Sequence, residues 1–526
     1  MPIQEFPTRQ LRNRVAFVRS DPPADVEAAL TSLGYQCFVT TEADLPTPGL
    51  LERTEAFVIQ QALDKPSSLS RDLETYAPVL DYDCRIYLFA IGDGRSTDIL
   101  FGLINRLQLP TFGLLREALD QLSSEWYDPS IQVFGPAIHI LYEQDRGRLP
   151  ELIARNPAGR APNSALVIKG AELDAERTKL LQRAFADCSS IVLFPKTDGL
   201  SGVDAYEAFA QFAENAVGGP ALYHCFVKVG PRTKVAREFQ NYQNTALENI
   251  PFHLGPRLRG ERCVLGHSAG LITSDFVSGA ESLRDSVRDG RGVHAIAHLF
   301  NQTLIAWRRA AKIEDDWPIA EFLQDHLAER NDIPLHRQPL IASCGATCSV
   351  DQLKEGIGRG PAKERVLVGV IHGDLHATNV LVRLNDAVII DLERVAFGKP
   401  LLFDAASLEA GLFIDGFITD KRSDQDILKS VSSLYTAAAF DSDDHHCSAS
   451  DKSAWFFDSV RQVRMQARQM EIVPLQYARI LAAVYLKKAC NPENLDLAGI
   501  PAGTVGREKI RAAAFVIAEM IIAALP

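Results

Sequence analysis

The sequence predicts an α/β module followed by an α+β region, in which strands come first and helices dominate later. Three observations support this. Over residues 1–155, short apolar strands alternate with helical stretches, which is typical of a doubly wound parallel sheet. Strand-like runs return between residues 189 and 277, and from residue 293 apolar side chains recur mainly at helical spacing. The chain has 526 residues, more than one typical domain.

The N-terminal module, residues 1–155, is predicted from four apolar strands and a helix over Pro23–Leu33. The strands are Arg14–Val18, Gln36–Thr40, Glu55–Ile59 and Arg85–Ala90. This alternation resembles response-regulator receiver or flavodoxin-like domains. A receiver would need an acceptor aspartate at the end of the third strand, where the chain reads Ile59-Gln60-Gln61. We therefore favour a non-phosphorylated sensor or interaction module that binds a protein partner. Residues 146–163, rich in Pro, Gly and Arg, are predicted to be the linker that follows.

Composition restricts the function classes. Hydrophobic content of 46% and charged content of 23% are ordinary for a soluble globular protein. The net charge of −12 argues against extended nucleic-acid binding. The nine cysteines form no CxxC pair, which favours reduced cytosolic thiols. The N-terminus lacks a signal-peptide pattern, and the apolar tail 512–526 is too short to span a bilayer. We expect a cytoplasmic protein without membrane contact.

A short hairpin is predicted in the second half of the chain. Val366–Ile371 is an apolar, β-branched run that predicts a buried strand. Val380–Arg383 predicts a second strand, turn residues follow, and residues 387–390 run back. Because an antiparallel return places the start of one strand beside the end of the other, Asn379 and Asp391 should meet at one end.

The side chains at this end suggest phosphoryl-transfer chemistry. An amide oxygen from Asn379 and a carboxylate from Asp391 suit Mg²⁺, which prefers oxygen ligands and keeps waters and substrate phosphates. Asp374 lies in the preceding loop, where a carboxylate could take or orient the proton of an attacking hydroxyl. His372 and His376 are expected to shape this loop by hydrogen bonding, because a magnesium site offers little to imidazole.

The segments HGDLHATN (372–379) and IIDLE (389–393) resemble the aminoglycoside phosphotransferase and choline kinase branch of the protein-kinase-like fold. The resemblance implies a two-lobed domain with a small β-rich lobe, residues 156–278, and a larger helical lobe, residues 279–526. It implies that Gly398-Lys399-Pro400 and Asp404 brace the catalytic loop. The catalytic set implied is Asp374 as base with His372 and Asn379, and the metal set is Asn379, Asp391 and Glu393.

The same resemblance implies an ATP-holding lobe upstream. Tyr223–Val229 is predicted as a strand carrying Lys228, and a helix from Thr233 to about Asn249 would carry Glu238. Lys228 resembles the strand lysine that contacts nucleotide phosphates, and Glu238 resembles its helix partner. The other cofactor-binding candidates are the small-residue loop Gly199, Ser201 and Gly202, and the main chain of the hinge residues Asp275, Phe276 and Val277.

These expectations combine into an ATP- and Mg²⁺-dependent phosphotransferase acting on a hydroxyl of a small molecule or protein, regulated by the N-terminal module. Two alternatives stay open: a protein AMP-transferase on the same fold, and a nucleotide-binding pseudokinase or scaffold in a bacterial signalling or conflict system. Acidic residues after the metal segment, Glu409, Asp415 and Asp420, are predicted to form a solvated helix face or, less favoured, a site for a cationic amine.

Overall fold

The computed structural model describes residues 14–41, 54–62, 85–91, 138–155, 162–196, 203–213, 222–265, 269–328, 332–441, 452–491 and 503–525. The chain divides into two compact units. Unit 1 consists of residues 1–240 and 257–276, and unit 2 consists of residues 241–256 and 277–526. The predicted domain bounds at 155 and 278 stay predictions.

The first sheet of unit 1 is parallel and has the order β2-β1-β3-β4-β5. Its strands are β1 (Arg14–Val18), β2 (Gln36–Thr40), β3 (Thr54–Ala62), β4 (Arg85–Ile91) and β5 (Ile138–Tyr142). This is the strand order of flavodoxin-like folds. Neighbouring residues of β1, which point to opposite faces, are all at most 3% exposed from Val15 to Val18. Both faces are therefore covered, as in a doubly wound sheet. The strand β3 contains no aspartate, so nothing here supports a receiver.

The predicted linker is wrong in its first half. Leu149–Arg155 is a helix, α2, and it packs beside α1 (Ala24–Ser32). Leu149 and Ile153 are fully buried in the same core as Val26 and Leu30 of α1. Their spacing of four residues gives this segment an apolar helical face, which its Pro- and Arg-rich composition concealed. The residues that follow, 156–161, lie outside the described part of the chain.

The second sheet of unit 1 has six strands in the order β10-β11-β9-β8-β7-β6, antiparallel except for the β6–β7 pair. The strands are β6 (Val167–Lys169), β7 (Cys188–Lys196), β8 (Asp204–Phe212), β9 (Leu222–Pro231), β10 (Val264–Leu265) and β11 (Ala269–Asp275). On one face, helix α3 (Ala175–Ala184) buries Leu180 and Leu181 against the inward residues of the strands. The helix α4 (Arg232–Asn241) packs Val235 and Phe239 against Cys263 and Ile272 in a second, smaller core.

Unit 2 contains two small antiparallel sheets, β12-β15-β16 and β13-β14-β17. Their strands are β12 (Glu281–Ser282), β13 (Lys312–Trp317), β14 (Glu364–Ile371), β15 (Val380–Arg383), β16 (Asp386–Ile389) and β17 (Ala396–Pro400). The rest of the unit is mostly helical, as predicted. Its helices are α5 (Leu283–Arg288), α6 (Val293–His298), α7 (Ile305–Arg309), α8 (Ile319–Ala328), α9 (Gln338–Ser343), α10 (Val350–Gly358), α11 (Leu402–Phe417), α12 (Asp424–Val431), α13 (Ala437–Asp441), α14 (Ala454–Arg468), α15 (Gln476–Cys490) and α16 (Gly503–Ala524). No helix in the described ranges is both long and apolar enough to cross a membrane.

A buried polar cluster lies among α11, α14 and α15. Glu409 is fully buried and accepts two hydrogen bonds from Arg464, at 3.0 and 2.7 Å. The hydroxyl of Tyr477 donates to the same carboxylate at 2.8 Å. Arg464 also donates to the main-chain oxygens of Leu434 and Ala439. The buried charges are therefore paired and hydrogen-bonded, as burial requires.

Candidate functional site

The predicted hairpin is formed by β15 and β16, with Val380 opposite Ile389. The N–H of Ile390 donates to the carbonyl oxygen of Asn379 at 3.0 Å and extends the ladder by one bond. This antiparallel register places Asn379 and Asp391 at the same end of the hairpin.

The side-chain amide of Asn379 is fixed by the loop that precedes it, which we call the HGD loop (residues 372–379). Its Nδ2 donates to the carbonyl oxygen of Asp374 at 3.0 Å, and the side chain is almost fully buried. In this orientation the Oδ1 atom, an acceptor, points away from that bond and is the atom suited to a cation. The bond also joins the position of the predicted base to the position of the predicted metal ligand.

The start of the HGD loop is held by Asp404 in the first turn of α11. Its carboxylate accepts from the main-chain N–H of His372 at 2.7 Å and of Gly373 at 3.0 Å. Burial raises the pKa of Asp404, and the two N–H donors oppose that rise. His372 is fully buried, and its Nε2 lies 2.9 Å from the carbonyl oxygen of Ile390. Because a carbonyl only accepts, Nε2 carries the proton. These are the contacts of a residue that positions the loop.

Two backbone conformations at this site are unusual. Gly373 has φ +78°, and a Cβ at this position would collide with the carbonyl oxygen of Arg394. Only glycine fits there. Asp391 has φ 62° and ψ 72°, the left-handed region, without being a glycine. That conformation costs on the order of 1 kcal/mol and is retained mainly where the surroundings or a function require it.

The carboxylate of Asp374 is 43% exposed and lies 3.9 Å from Nε of Arg394. Desolvation acts to raise the pKa of Asp374, but the charges of His376, Lys488 and Arg394 outweigh it and hold the pKa below its usual range. The group is therefore a carboxylate at neutral pH. A low pKa also makes it a weak base, which suits orientation of a hydroxyl and late acceptance of its proton.

A second charged pair was missed by the sequence analysis. The Nδ1 atom of His376 lies 3.5 Å from the carboxylate of Asp415 in α11 and 2.8 Å from the Thr378 hydroxyl. Desolvation would lower the pKa of His376, but Asp415 outweighs it and raises the pKa above its ordinary value. The pKa of Asp415 is lowered in turn because its bond to His376 outweighs desolvation. This pair stabilises the middle of the HGD loop against α11.

The turn after Asp391 is held by Asn241, also missed by the sequence analysis. Its Nδ2 donates to the main-chain oxygens of Leu392 at 2.8 Å and Glu393 at 3.1 Å. The side chain of Glu393 is 13% exposed and lies 3.5 Å from Nε of Arg394. The turn that follows the predicted metal ligand is therefore fixed by a side chain from elsewhere in unit 2.

The donor set at the hairpin end fits magnesium. Asn379 Oδ1, the Asp391 carboxylate and, next to them in sequence, Glu393 are oxygen donors, and Mg²⁺ typically takes one or two carboxylates plus waters and phosphates. Within the ranges that the structure describes, no group of three or more His, Cys, Asp or Glu side chains could hold a metal. A site built only from protein ligands, as for structural zinc, is therefore not found in those ranges.

In unit 1, Lys228 of β9 and Glu238 of α4 form a buried ion pair. Nζ of Lys228 lies 2.6 Å from Oε2 of Glu238, and the two side chains are 12% and 8% exposed. The predicted alternation along β9 is observed, since Cys225, Val227 and Val229 are fully buried on the opposite face. The α-helix is shorter than predicted. It ends at Asn241 rather than about Asn249, and a π-helical turn, residues 242–246, follows it.

The sheet face that carries Lys228 also carries a row of stacked rings. His224 and Phe226 alternate with Lys228 along β9, and Phe209 of β8 is the cross-strand neighbour of His224. Ring centroids are 4.3 Å apart for Phe209 and His224, and 4.2 Å apart for His224 and Phe276. This face offers aromatic surface beside a lysine, a combination suited to a base and a phosphate.

The remaining cofactor-binding candidates are placed only in part. Gly199, Ser201 and Gly202 fall outside the described residues. Asp275 ends β11, and its main-chain N–H already donates to Arg257 O at 3.1 Å. Its carboxylate is bonded by Arg259, with two bonds of 2.7 Å. The N–H of Asp275 is therefore already used, and the main chains of Phe276 and Val277 stay the hinge candidates for contact with a nucleotide.

The acidic residues after the metal segment do not form an exposed face. Glu409 is fully buried on Arg464, and Asp415 contacts His376. Asp420 is bonded by Arg422 at 2.9 Å, and both side chains are under 20% exposed. The prediction of a solvated helix face is wrong, because each acid is matched with a cation inside unit 2. The same pairing removes the basis for a cationic-amine site.

The chain shows only limited similarity to known proteins. The family model described as "Ternary complex associated domain 9" matches residues 348–488. A comparison with curated proteins finds no match. Among solved structures, the chain is similar to a thermostable mutant of an aminoglycoside phosphotransferase in ternary complex with ADP and hygromycin B, at 13% identity and a TM-score of 0.36, covering 66% of this chain and 99% of that one.

Two further solved structures are similar. One is amicoumacin kinase in complex with AMP-PNP, Ca²⁺ and its ligand Ami, at 11% identity and a TM-score of 0.35, covering 62% of this chain and 88% of that one. The other is glucosamine kinase, at 10% identity and a TM-score of 0.33, covering 64% of this chain and 92% of that one. Because these TM-scores are low, the likeness assigns no role to individual residues of this chain.

Proposed function

We propose that this chain is an ATP- and Mg²⁺-dependent phosphotransferase that transfers the γ-phosphoryl group to a hydroxyl of a small molecule or protein. One observation carries the proposal. The Asn379 side chain donates to the main chain of Asp374 and keeps its oxygen for a cation, at the hairpin end where Asp391 follows in a left-handed conformation. A proton acceptor and two oxygen ligands in this order serve phosphoryl transfer.

Each residue would have a limited task, because phosphoryl transfer depends mainly on positioning and charge neutralisation. Asp374, ionised at neutral pH, would orient the acceptor hydroxyl and take its proton as the new O–P bond forms and the bond to ADP breaks. Asn379 and Asp391, with Glu393, would hold magnesium, which when bound neutralises charge on the phosphates. Lys228, oriented by Glu238, would steady the nucleotide phosphates.

The test is ATP turnover by the purified chain with γ-labelled ATP, Mg²⁺ and a cell extract as the source of acceptor. We expect Asp391→Ala to lower turnover by about a hundredfold or more, since a group that stabilises transition-state charge is lost. Asp386→Ala is the matched control. This aspartate lies at the opposite end of the same hairpin, opposite Arg383, so its removal should leave turnover near wild type. Equal turnover in wild type and the Asp391 variant would refute the assigned role.

The same experiment separates the alternatives. Label from γ-labelled ATP should appear in the product, whereas transfer of AMP would require label from α-labelled ATP. A pseudokinase would show a Mg²⁺-dependent rise in melting temperature with ATP but no labelled product. Asp374→Asn should lower turnover while this ATP-dependent stabilisation survives, because the substitution removes the proton acceptor and preserves the shape of the loop.

We also propose that the N-terminal module regulates this activity by binding a protein partner. The name of the matched family model refers to a ternary complex, and the matched residues 348–488 belong to unit 2. The parallel sheet of residues 14–142 contains none of the proposed catalytic residues, which leaves it available for recognition. Turnover with and without a candidate partner, compared between the full chain and a chain beginning at residue 156, tests this point. An equal response in both would contradict it.

A further inference from the structure

A cavity of about 500 Å³ lies just beyond the C-terminal end of α11 in unit 2. Its walls come from α5, from the segment between α11 and α12, and from the start of α14. The charged and aromatic lining residues are Arg288, Asp420, Lys421, Arg422, Lys452 and Trp455. This volume falls within the range of small-molecule sites in proteins. None of these residues belongs to the proposed transfer chemistry.

The cavity is strongly basic, although the chain as a whole carries a net charge of −12. Four cationic side chains face one acid. That acid, Asp420, is bonded to Arg422 at 2.9 Å, and this guanidinium outweighs desolvation and holds the pKa of Asp420 below its usual range. Arg288 donates to the neutral hydroxyl of Thr419 at 2.6 Å, which leaves its charge unmatched by that bond. Lys421 and Lys452 have no ion-pair partner among the residues that the structure describes.

One wall of the cavity is rigid. The Arg422 guanidinium lies over the Phe417 ring at 5.7 Å and also donates to the Ser453 hydroxyl at 3.1 Å. The Trp455 ring packs on Phe417 with centroids 5.0 Å apart. Gly416 makes room for that ring, since a Cβ there would collide with it. This fixed wall of Arg422, Phe417 and Trp455 needs little further ordering when a ligand fills the cavity, which favours recognition over a mobile basic surface.

A solvated basic patch at a helix C-terminus is the simpler explanation, because cations are favoured there by the helix dipole. It accounts for Arg288, in the last turn of α5, and for the charges of Lys421 and Arg422 beyond the end of α11. It does not account for Lys452, contributed by a further segment to the same concavity, or for the ring of Trp455 beside it. Convergence of cations from three segments on one cavity is the pattern of an anion-binding site.

We infer that this cavity binds a small organic anion bearing phosphate or carboxylate groups, with Arg288, Lys421 and Lys452 facing the anionic groups and Trp455 facing the organic part. Two helices that contribute lining residues to the cavity, α5 and α11, also contact the HGD loop. In α5, the main-chain N–H of Arg284 donates to Ala377 O at 3.3 Å. At the end of α11, Asp415 contacts His376. The binding claim does not depend on phosphoryl transfer, and its test reads binding alone.

Isothermal titration calorimetry of the full-length chain with pyrophosphate and, separately, with citrate tests the inference. Buffer freed of metal with a chelating resin, at constant ionic strength, excludes metal and screening effects. We expect saturable binding of at least one probe, weakened about tenfold or more in Lys421→Ala/Lys452→Ala because two charge-assisted contacts are removed. Both lysines are exposed, so the fold should be unaffected. Binding by pyrophosphate alone, or by citrate alone, identifies the preferred anionic group and supports the inference either way.

The matched control is Lys312→Ala/Lys363→Ala, which removes two exposed lysines of the same unit away from the cavity and changes net charge equally. This control should bind like wild type. Trp455→Phe should reduce any fluorescence change on binding, since Trp307 and Trp317, the other tryptophans of unit 2, are buried. Absence of saturable binding of both probes to wild type, or equal weakening by the cavity and control variants, overturns the inference.

Discussion

Substitution of Lys228 by methionine gives a quantitative test of the unit 1 site. Methionine keeps most of the apolar stem but removes the ammonium group. Glu238 then remains as a carboxylate that is 8% exposed and has lost its partner at 2.6 Å. Removing one member of a buried pair costs about 3–5 kcal/mol. Because both side chains retain slight exposure, we expect the low end, about 3 kcal/mol.

Native-state hydrogen exchange measures this loss where it occurs. Local opening of β9 and α4 should become easier by that free energy, so their amides should exchange about a hundredfold faster. The double variant Lys228→Met/Glu238→Met should recover most of the protection, because the buried carboxylate is removed together with the ammonium group. If Lys228 contacts the phosphates, ATP should raise the melting temperature of the wild type but of neither variant.

Lys196→Met is the control for this experiment. Its partner, Glu207, lies at 2.6 Å on the same sheet, but Lys196 is 47% exposed and Glu207 21%. Exposed pairs contribute about 0–1 kcal/mol, so exchange should change only a few fold. A change in exchange of less than about fivefold in Lys228→Met, or equally fast exchange in the single and double variants, would exclude an important buried pair at this position.

Three further predictions concern the HGD loop and its neighbours. Gly373→Ala should lower turnover at least tenfold and lower the melting temperature, because the Cβ meets Arg394 O and alanine disfavours φ +78° by about 1–2 kcal/mol; unchanged melting would contradict the steric argument. Asp404→Ala should destabilise unit 2 by about 2–4 kcal/mol, since the buried N–H of His372 and the part-buried N–H of Gly373 lose a charged acceptor; exchange of those two amides reports it. The raised pKa of His376 means that its bond to Asp415 contributes fully below about pH 6.5 and is lost as pH rises through the folded-state value. Asp415→Asn should therefore lower the His376 pKa in an NMR titration, and an unchanged titration would exclude the pair.

The hairpin and the ion pair were predictable because their signals are local. An apolar strand, turn residues and a returning strand determine which residues share an end, and no distant contact is needed. The lysine on β9 and the glutamate on α4 follow the same logic, since one strand and the helix after it are connected directly. The alternation along β9 identified in advance which face would be buried.

The contacts that hold the loop were not predictable from the sequence. Asn241 and Asp415 are polar residues without periodicity or motif, and each acts on a segment far along the chain. Periodic patterns report burial, and they carry no information on which distant polar groups meet. For this reason Asp415 was assigned to an exposed helix face. The helix α2 was missed for a related reason, because its two buried residues are too few to outweigh composition.

The buried pair of Glu409 and Arg464 has a consequence for how unit 2 selects one arrangement of its helices. Helices packed through aliphatic side chains can slide along one another, because one apolar contact replaces another of similar energy. If α14 slid along α11 by one turn, about 5.4 Å, both ionic groups would be left stranded without water or a counter-charge. The free-energy cost of an alternative register is therefore set mainly by the stranded charges, and it far exceeds the difference in apolar packing between registers. The buried ion pair therefore favours a single register of α14 against α11.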